Sequence, residues 1–335
     1  MSELHKFIFE GLPVRGMLVR LTDGWQELLR RRDEADVAFP QPVRQLLGEM
    51  AAAGVLMQSN IKFNGALVLQ MHGDGPVKLA VAEVQPDLAF RVTATVLGEV
   101  PPDAQLEAML NVHGKGRCAI TLDPQNRFPG QQPYQGVVSL HGDQREPLQQ
   151  LSEVLEHYML QSEQLDTKLI LAANDTLAAG LLIQRLPVQG EDNLAGARVG
   201  ARAGMVTSER NEDEIGRNED YNRIAMLAAT PTADELLTLD TETLLRRLFW
   251  EETLRRFPPL AGDFAPRFAC TCSRERVGAM LKGLGRAEVD AVVSEQGRVE
   301  IACEFCGVKY HFDPVDVGGL FTAPLDQAPG SVTIN

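Results

Sequence analysis

Four of the five cysteines fall in the last 66 residues, as Cys270-Thr-Cys272 and, thirty intervening residues later, Cys303-Glu-Phe-Cys306. Two close pairs set far apart in sequence can converge on a tetrahedral S₄ site, the arrangement Zn²⁺ prefers where its role is structural. Gly307 directly after Cys306 permits a tight turn whose backbone N–H groups point at the sulfurs. The first pair is unusual. Only Thr271 separates its members, whereas zinc modules usually leave two or more residues between paired cysteines. A disulfide closing so short a span is strained, hence oxidising and easily reduced. Thiolates held by a metal are already in the nucleophilic form that an oxidant attacks. Two chemistries stay open on these residues: a metal staple that lets a small domain fold, and a reversible redox switch.

The other reactive side chains offer less. Cys118 lies in Arg117-Cys-Ala-Ile120, an apolar strand pattern that suits a buried, inert thiol. His311 lies five residues past Cys306 and is surplus to four thiolates, so a position on a strand face is expected. His5, His72, His113, His141 and His157 form no HExxH arrangement, and Gly114-Lys-Gly116 lacks Walker spacing and reads as a turn. Nothing argues for ATP use or for an enzyme.

The cysteine pairs must be positioned by short elements. Strands are expected at 298–302 and 308–312, on either side of the second pair. Ser273 can cap a helix carrying Val277, Met280, Leu281 and Leu284 and ended by Gly285; a second short helix, 287–296, ends at Gly297. Upstream, apolar spacing predicts a helix over 42–59 and another around Leu148–Met159. Alternation predicts strands at 63–71 and 77–84 joined by the turn cluster His72–Pro76, and further strands at 91–97, 117–122, 135–140, 168–173 and 178–186. Hairpins favour antiparallel pairing, so the fold class is α+β: a mixed N-terminal domain with an antiparallel sheet over 1–187. Residues 188–222, rich in Gly and acidic side chains, read as a disordered loop. Thr232-Ala-Asp-Glu235 is a capping box that opens a helical linker over 223–260, with Leu244, Leu245, Leu248 and Phe249 as its apolar stripe. Glu251/Arg255 and Glu252/Arg256 are read as i,i+4 pairs on its wet face, and Phe257-Pro-Pro259 as its stop. Whether that linker packs firmly or marginally is undecided by periodicity. The zinc domain is expected over 261–320.

Composition narrows the function. The 335 residues are 44% hydrophobic and 23% charged, an ordinary globular balance. The net charge of −14, from 32 basic and 46 acidic residues, disfavours nucleic acid and anionic membranes as partners, and 6% aromatics leaves little base-stacking surface. No apolar run reaches bilayer length, and Met1–Lys6 lacks the pattern of a secretory signal, so a reducing cytoplasm is expected.

The chain resembles the redox-regulated bacterial heat-shock chaperones of 33 kilodaltons. The residues that carry the likeness are Cys270-Thr-Cys-Ser-Arg-Glu-Arg-Val277, Gly297-Arg-Val-Glu-Ile-Ala-Cys-Glu-Phe-Cys306 and Tyr310-His-Phe-Asp313. Upstream, Val14-Arg-Gly16, Phe63-Asn-Gly65, Gly73-Asp-Gly-Pro76, Gln161-Ser-Glu-Gln164, Ala179–Pro187 and Leu244–Phe249 extend it. It covers nearly the whole chain except 188–222, which is longer than the family pattern. The resemblance implies a cytoplasmic, ATP-independent holdase of unfolded client proteins. In the reduced, inactive state Cys270, Cys272, Cys303 and Cys306 would hold one Zn²⁺. Oxidation would form Cys270–Cys272 and Cys303–Cys306 disulfides, expel the metal, unfold linker and zinc domain, and give an active homodimer. The alternatives from residues alone are a zinc-stapled enzyme and a zinc-ribbon nucleic-acid binder. The seven basic against eight acidic residues from Pro258 to Asp313 weaken the latter.

Overall fold

The computed structural model describes residues 1–126, 130, 132–186, 216 and 218–322. They form two compact units, one of residues 1–30 and 38–269, the other of residues 31–37 and 270 onward.

The larger unit starts with two strands the sequence pattern did not single out, β1 (Glu3–Phe9) and β2 (Val14–Leu21). β2 is apolar almost throughout, because it lies inside its sheet and is covered on both faces. Helix α1 (Asp23–Glu34) follows, then α2 (Gln41–Asn60). Next come β3 (Gly65–His72), β4 (Val77–Val84) and β5 (Ala89–Val96), helix α3 (Leu106–Leu110), β6 (Arg117–Pro124) and β7 (Tyr134–Ser139). Helix α4 (Leu151–Glu163), β8 (Thr167–Ala173) and β9 (Ala178–Arg185) complete the run. α2, β3 to β7, α4, β8 and β9 match the expected elements to within a few residues, α1 and α3 had no expected counterpart, and the fold is α+β.

After 186, helices α5 (Glu219–Ala228), α6 (Ala233–Thr238) and α7 (Thr241–Leu248) lead to strands β10 (Leu254–Arg256) and β11 (Arg267–Phe268). One sheet has the order β10-β1-β2-β9-β8 and the other β11-β5-β4-β3-β6-β7. Every pairing is antiparallel except the short β11–β5 contact.

Helix α2 touches both sheets. A single apolar face was expected, but 14 of its 20 residues are buried, on all sides. A helix between two sheets needs apolar residues all round and small ones where backbones approach. At Gly48 a Cβ would run into the methyl group of Ala173.

The expected loop over 188–222 lies largely outside the described residues; its last part is helical, since α5 starts at Glu219 with Asn218 accepting from the Tyr221 N–H at 2.7 Å. The capping box is present: Glu235 N–H donates to Thr232 Oγ1 at 3.2 Å and the Glu235 carboxylate accepts from the Thr232 N–H at 2.9 Å. Ile224, Leu236, Leu244, Leu245 and Leu248 are buried with Phe7, Phe9, Leu18, Leu181 and Ile183. Arg20 donates to the carbonyls of Leu236, Leu237 and Leu239 at the end of α6, at 2.9, 3.1 and 2.8 Å. The region expected as a linker is therefore firmly packed on the first sheet.

Its end differs from the expectation. The helix stops at Leu248, not at Phe257-Pro-Pro259, and residues 251–256 are not helical, so the i,i+4 pairs do not form. Glu252 pairs with Arg223 and Arg256 with Glu242 instead. The physical reason is tertiary. Phe249 packs edge-on against Phe9 at 5.0 Å between centroids, and the chain then adds β10 to the open edge of β1, Phe9 facing Leu254.

The smaller unit contains α8 (Arg274–Leu284), α9 (Arg286–Gln296), β12 (Val299–Ala302), β13 (Lys309–Phe312) and α10 (Pro314–Phe321). Among the described residues its core cluster is five buried side chains, Leu281, Val289, Val299, Phe312 and Val317. Residues 261–269 belong to the larger unit through β11, so the compact small unit starts at Cys270.

Candidate metal centre

Each cysteine pair sits where a local rule places it. Cys270 and Cys272 occupy the irregular segment before α8, whose first turn is capped by Ser273, its hydroxyl accepting from the Arg276 N–H at 3.3 Å. Helix α8 ends at Gly285 and α9 at Gly297, both with positive φ, as expected from the glycines. The second pair forms the turn between β12 and β13, in which Val299 faces Phe312 and Ala302 faces Lys309. Gly307 N–H donates to the Cys303 carbonyl at 2.8 Å, and Cys303 N–H to the Val308 carbonyl at 2.9 Å. Gly307 has φ +72°, the left-handed conformation a glycine takes without strain.

The four sulfurs converge. All lie within 4.8 Å of one another; Cys270 Sγ is 3.6 Å from Cys303 Sγ and Cys272 Sγ 3.4 Å from Cys306 Sγ. A tetrahedral ion with Zn–S bonds of about 2.3 Å separates its sulfurs by roughly 3.8 Å. The observed spacings bracket that value, so the set fits a metal ion of this kind.

Backbone N–H groups solvate the sulfurs. Those of Phe305 and Cys306 point at Cys303, that of Val308 at Cys306, and that of Cys272 at Cys270. The hydrogen bond shared with Cys270 holds the Cys303 thiol down to about 4 and pushes Cys270 up; burial pushes Cys306 up to about 11. Sulfurs within hydrogen-bond distance of one another, with backbone N–H donors around them, mark a site built to carry negative charge on sulfur.

Two contributors had no role assigned from sequence. The Tyr310 hydroxyl donates to Cys272 Sγ at 3.1 Å, and this contact pushes the Tyr310 phenol up. Arg274 lies 4.3 Å over the Phe312 ring, donates to the His311 carbonyl at 2.6 Å and pairs with Asp316 at 2.6 Å, tying the start of α8 to β13 and α10. Such outer contacts carry no spacing signature, since they depend on which strand residue faces inward. His311 lies on β13 beside Glu300, 3.3 Å away, outside the sulfur cluster. Cys118 is fully buried in β6, as its pattern indicated, and Gly114–Gly116 is a turn whose N–H groups at His113 and Lys115 donate to Asp74.

An antiparallel α+β domain followed by a small C-terminal unit whose four thiolates can hold one metal ion is the class of protein that this fold and site define. The sequence profile described as "Hsp33 protein" matches residues 2–313. Among curated proteins, the "33 kDa chaperonin" of Chromobacterium violaceum is 43% identical over 320 residues, covering 96% of this chain and 94% of the relative. That of Methylobacillus flagellatus is 39% identical, covering 97% and 96%. A solved 33 kDa chaperonin from Thermotoga maritima shares the fold, with a TM-score of 0.68 at 18% identity over 95% of this chain and 97% of that one. The chain belongs to the Hsp33 family, a family of chaperones and not of enzymes. Among the described residues no helix is long and apolar enough to cross a membrane.

Proposed function

We propose that this protein is a redox-regulated, ATP-independent holdase of the cytoplasm, inactive while Cys270, Cys272, Cys303 and Cys306 hold one Zn²⁺ and active once they are oxidised. The observation that carries the reading is the pairing of a four-sulfur cluster with a core that, among the described residues, is five buried side chains. Zinc would supply roughly 10–16 kcal/mol toward folding such a module, comparable to the whole stability of a small domain. A unit that leans on its metal to this degree loses its fold when the ligands are consumed.

The residues divide the work. The four thiolates are both ligands and reductants. The Tyr310 hydroxyl and the N–H groups of Phe305, Cys306 and Val308 stabilise charge on sulfur and set its orientation. Oxidation joins Cys270 to Cys272 and Cys303 to Cys306. Each new S–S bond forms from two thiolates and releases two electrons; hypochlorous acid takes them with one proton from solvent to leave chloride and water, and peroxide takes them with two protons from solvent to leave two waters. Each disulfide removes two ligands, so two of them dismantle the site. The small unit and the helices of residues 223–260 then unfold and present apolar surface to unfolding clients, with a homodimer as the active form.

The test is aggregation of a thermally unfolding client with reduced or oxidised protein and no nucleotide. Suppression by the oxidised form alone, reversed by reduction in the presence of zinc, is the expected result. An oxidised, zinc-free protein that leaves aggregation unchanged would refute the function. Zinc analysis of anaerobically purified protein should give about one ion per chain, most of it lost in Cys303→Ser; full retention there would overturn the ligand set.

A further inference from the structure

At the seam where α2, α4 and the two large sheets meet lies a cavity of about 140 Å³, walled by Leu67, Ile120, Leu155, Leu169 and Leu182. Its rim carries Arg15, Asn60 and Thr167, and these three converge on Gln184, which is fully buried. Arg15 donates to Gln184 Oε1 through Nε at 3.2 Å and through a terminal nitrogen at 2.5 Å. Asn60 Nδ2 donates to the same oxygen at 2.8 Å, and Gln184 Nε2 donates to Thr167 Oγ1 at 2.8 Å. One neutral amide oxygen thus serves as the acceptor for a half-buried guanidinium, and three donors already saturate it.

Among the described residues Arg15 pairs with no carboxylate. Lys6, on the same face of the β1–β2 hairpin, has among the described residues only the Ser59 carbonyl, at 2.5 Å. The two cations are close enough for Arg15 to lower the Lys6 pKa, after burial, the larger cause. Glu163 on the rim is engaged by the hydroxyls of Tyr158 at 2.9 Å and Tyr134 at 3.3 Å. The rim of this apolar chamber therefore carries one guanidinium, Arg15, with no carboxylate partner among the described residues, and one carboxylate, Glu163, already held by two hydroxyls; an incoming anion is matched to the guanidinium, with which it can form charge-assisted hydrogen bonds. A cavity of this volume accommodates a benzene ring.

We propose that this cavity binds a small monocarboxylate with an apolar body, the body within the leucine wall and the carboxylate on Arg15. The site lies in the chaperone domain and is independent of the cysteine chemistry.

Isothermal titration of the full-length reduced protein with octanoate, and separately with 1-octanol, tests it. Octanoate should bind one per chain and at least tenfold more tightly than the alcohol. Arg15→Gln should erase that preference, and Arg15→Lys should keep part of it. Met159→Trp, at a half-buried wall position, should abolish binding of both while the thermal midpoint without ligand stays near that of the parent. Should Arg15→Gln fail to fold, the octanoate-to-octanol ratio in the parent and Arg15→Lys decides. No binding of octanoate, equal affinity for acid and alcohol, or octanoate binding untouched in Arg15→Gln or Met159→Trp would overturn the proposal.

Discussion

Phe312→Ala tests whether the small unit and its metal are one thermodynamic object. Phe312 is 2% exposed, faces Val299 across the hairpin and lies under the Arg274 guanidinium. Truncating a buried Phe costs about 3–5 kcal/mol, and the lost cation–π contact adds about 0.5–1 kcal/mol. If, as proposed, so small a core folds only around its ion, this packing is realised only in the metal-bound state, and its loss falls on metal affinity. At about 1.4 kcal/mol per tenfold, apparent zinc affinity should fall by roughly two to four orders of magnitude although all four ligands remain. Competition against a chromophoric chelator at fixed pH, under reducing conditions, reads this directly. Val315→Ala is the control: the side chain is 82% exposed, and its removal, worth at most about 0.5 kcal/mol, should change affinity less than about threefold. If Phe312→Ala binds zinc as tightly as that control, the unit folds without its metal, and the coupling between metal and fold is wrong.

Non-reducing peptide mapping after mild peroxide should find Cys303–Cys306 first and Cys270–Cys272 later, since the three-residue span is the more strained; a dominant Cys272–Cys303 bridge would contradict the neighbour pairing. Limited proteolysis of oxidised protein should cut beyond about residue 230 and spare the large core packed on α2, whereas uniform resistance would count against unfolding of the C-terminal region. Burial pushes the Cys118 thiol up to about 12, so the protonated, unreactive form prevails below that pH. Alkylation at pH 8 should modify Cys118 only after denaturation, and rapid labelling of the native chain would show that β6 opens.

Much of this architecture was legible in the residues, because the signals were local. The glycines at 285, 297 and 307, the Ser273 and Thr232 caps and the alternation over 77–84 each act through a few neighbouring backbone groups, and each appears where expected. The convergence of the four sulfurs followed from paired spacing. What escaped was non-local. The charges around 251–256 satisfy a helical rule, yet the edge of β1 and the Phe7–Phe9–Phe249 cluster recruit that segment as a strand. β2, buried on both faces, has no alternation to read, and in β1 the charged and polar Glu3, His5 and Lys6 interrupt the apolar pattern. The Tyr310 hydroxyl on Cys272 depends on hairpin register, which no spacing encodes.

The pairing of β1 with β10 also has a consequence for synthesis. The first strand made, Glu3–Phe9, finds its outer partner only when Leu254–Arg256 has been made, and β2 waits for β9 at Ala178–Arg185. At about 5–20 residues per second, roughly 10–50 s separate Phe9 from Leu254 on the ribosome. The β3–β7 sheet, by contrast, is contiguous in sequence apart from its β11 edge and can close as soon as residue 139 has emerged. During elongation the nascent chain therefore carries an unpaired apolar edge of its own, and is itself in need of the protection its family provides.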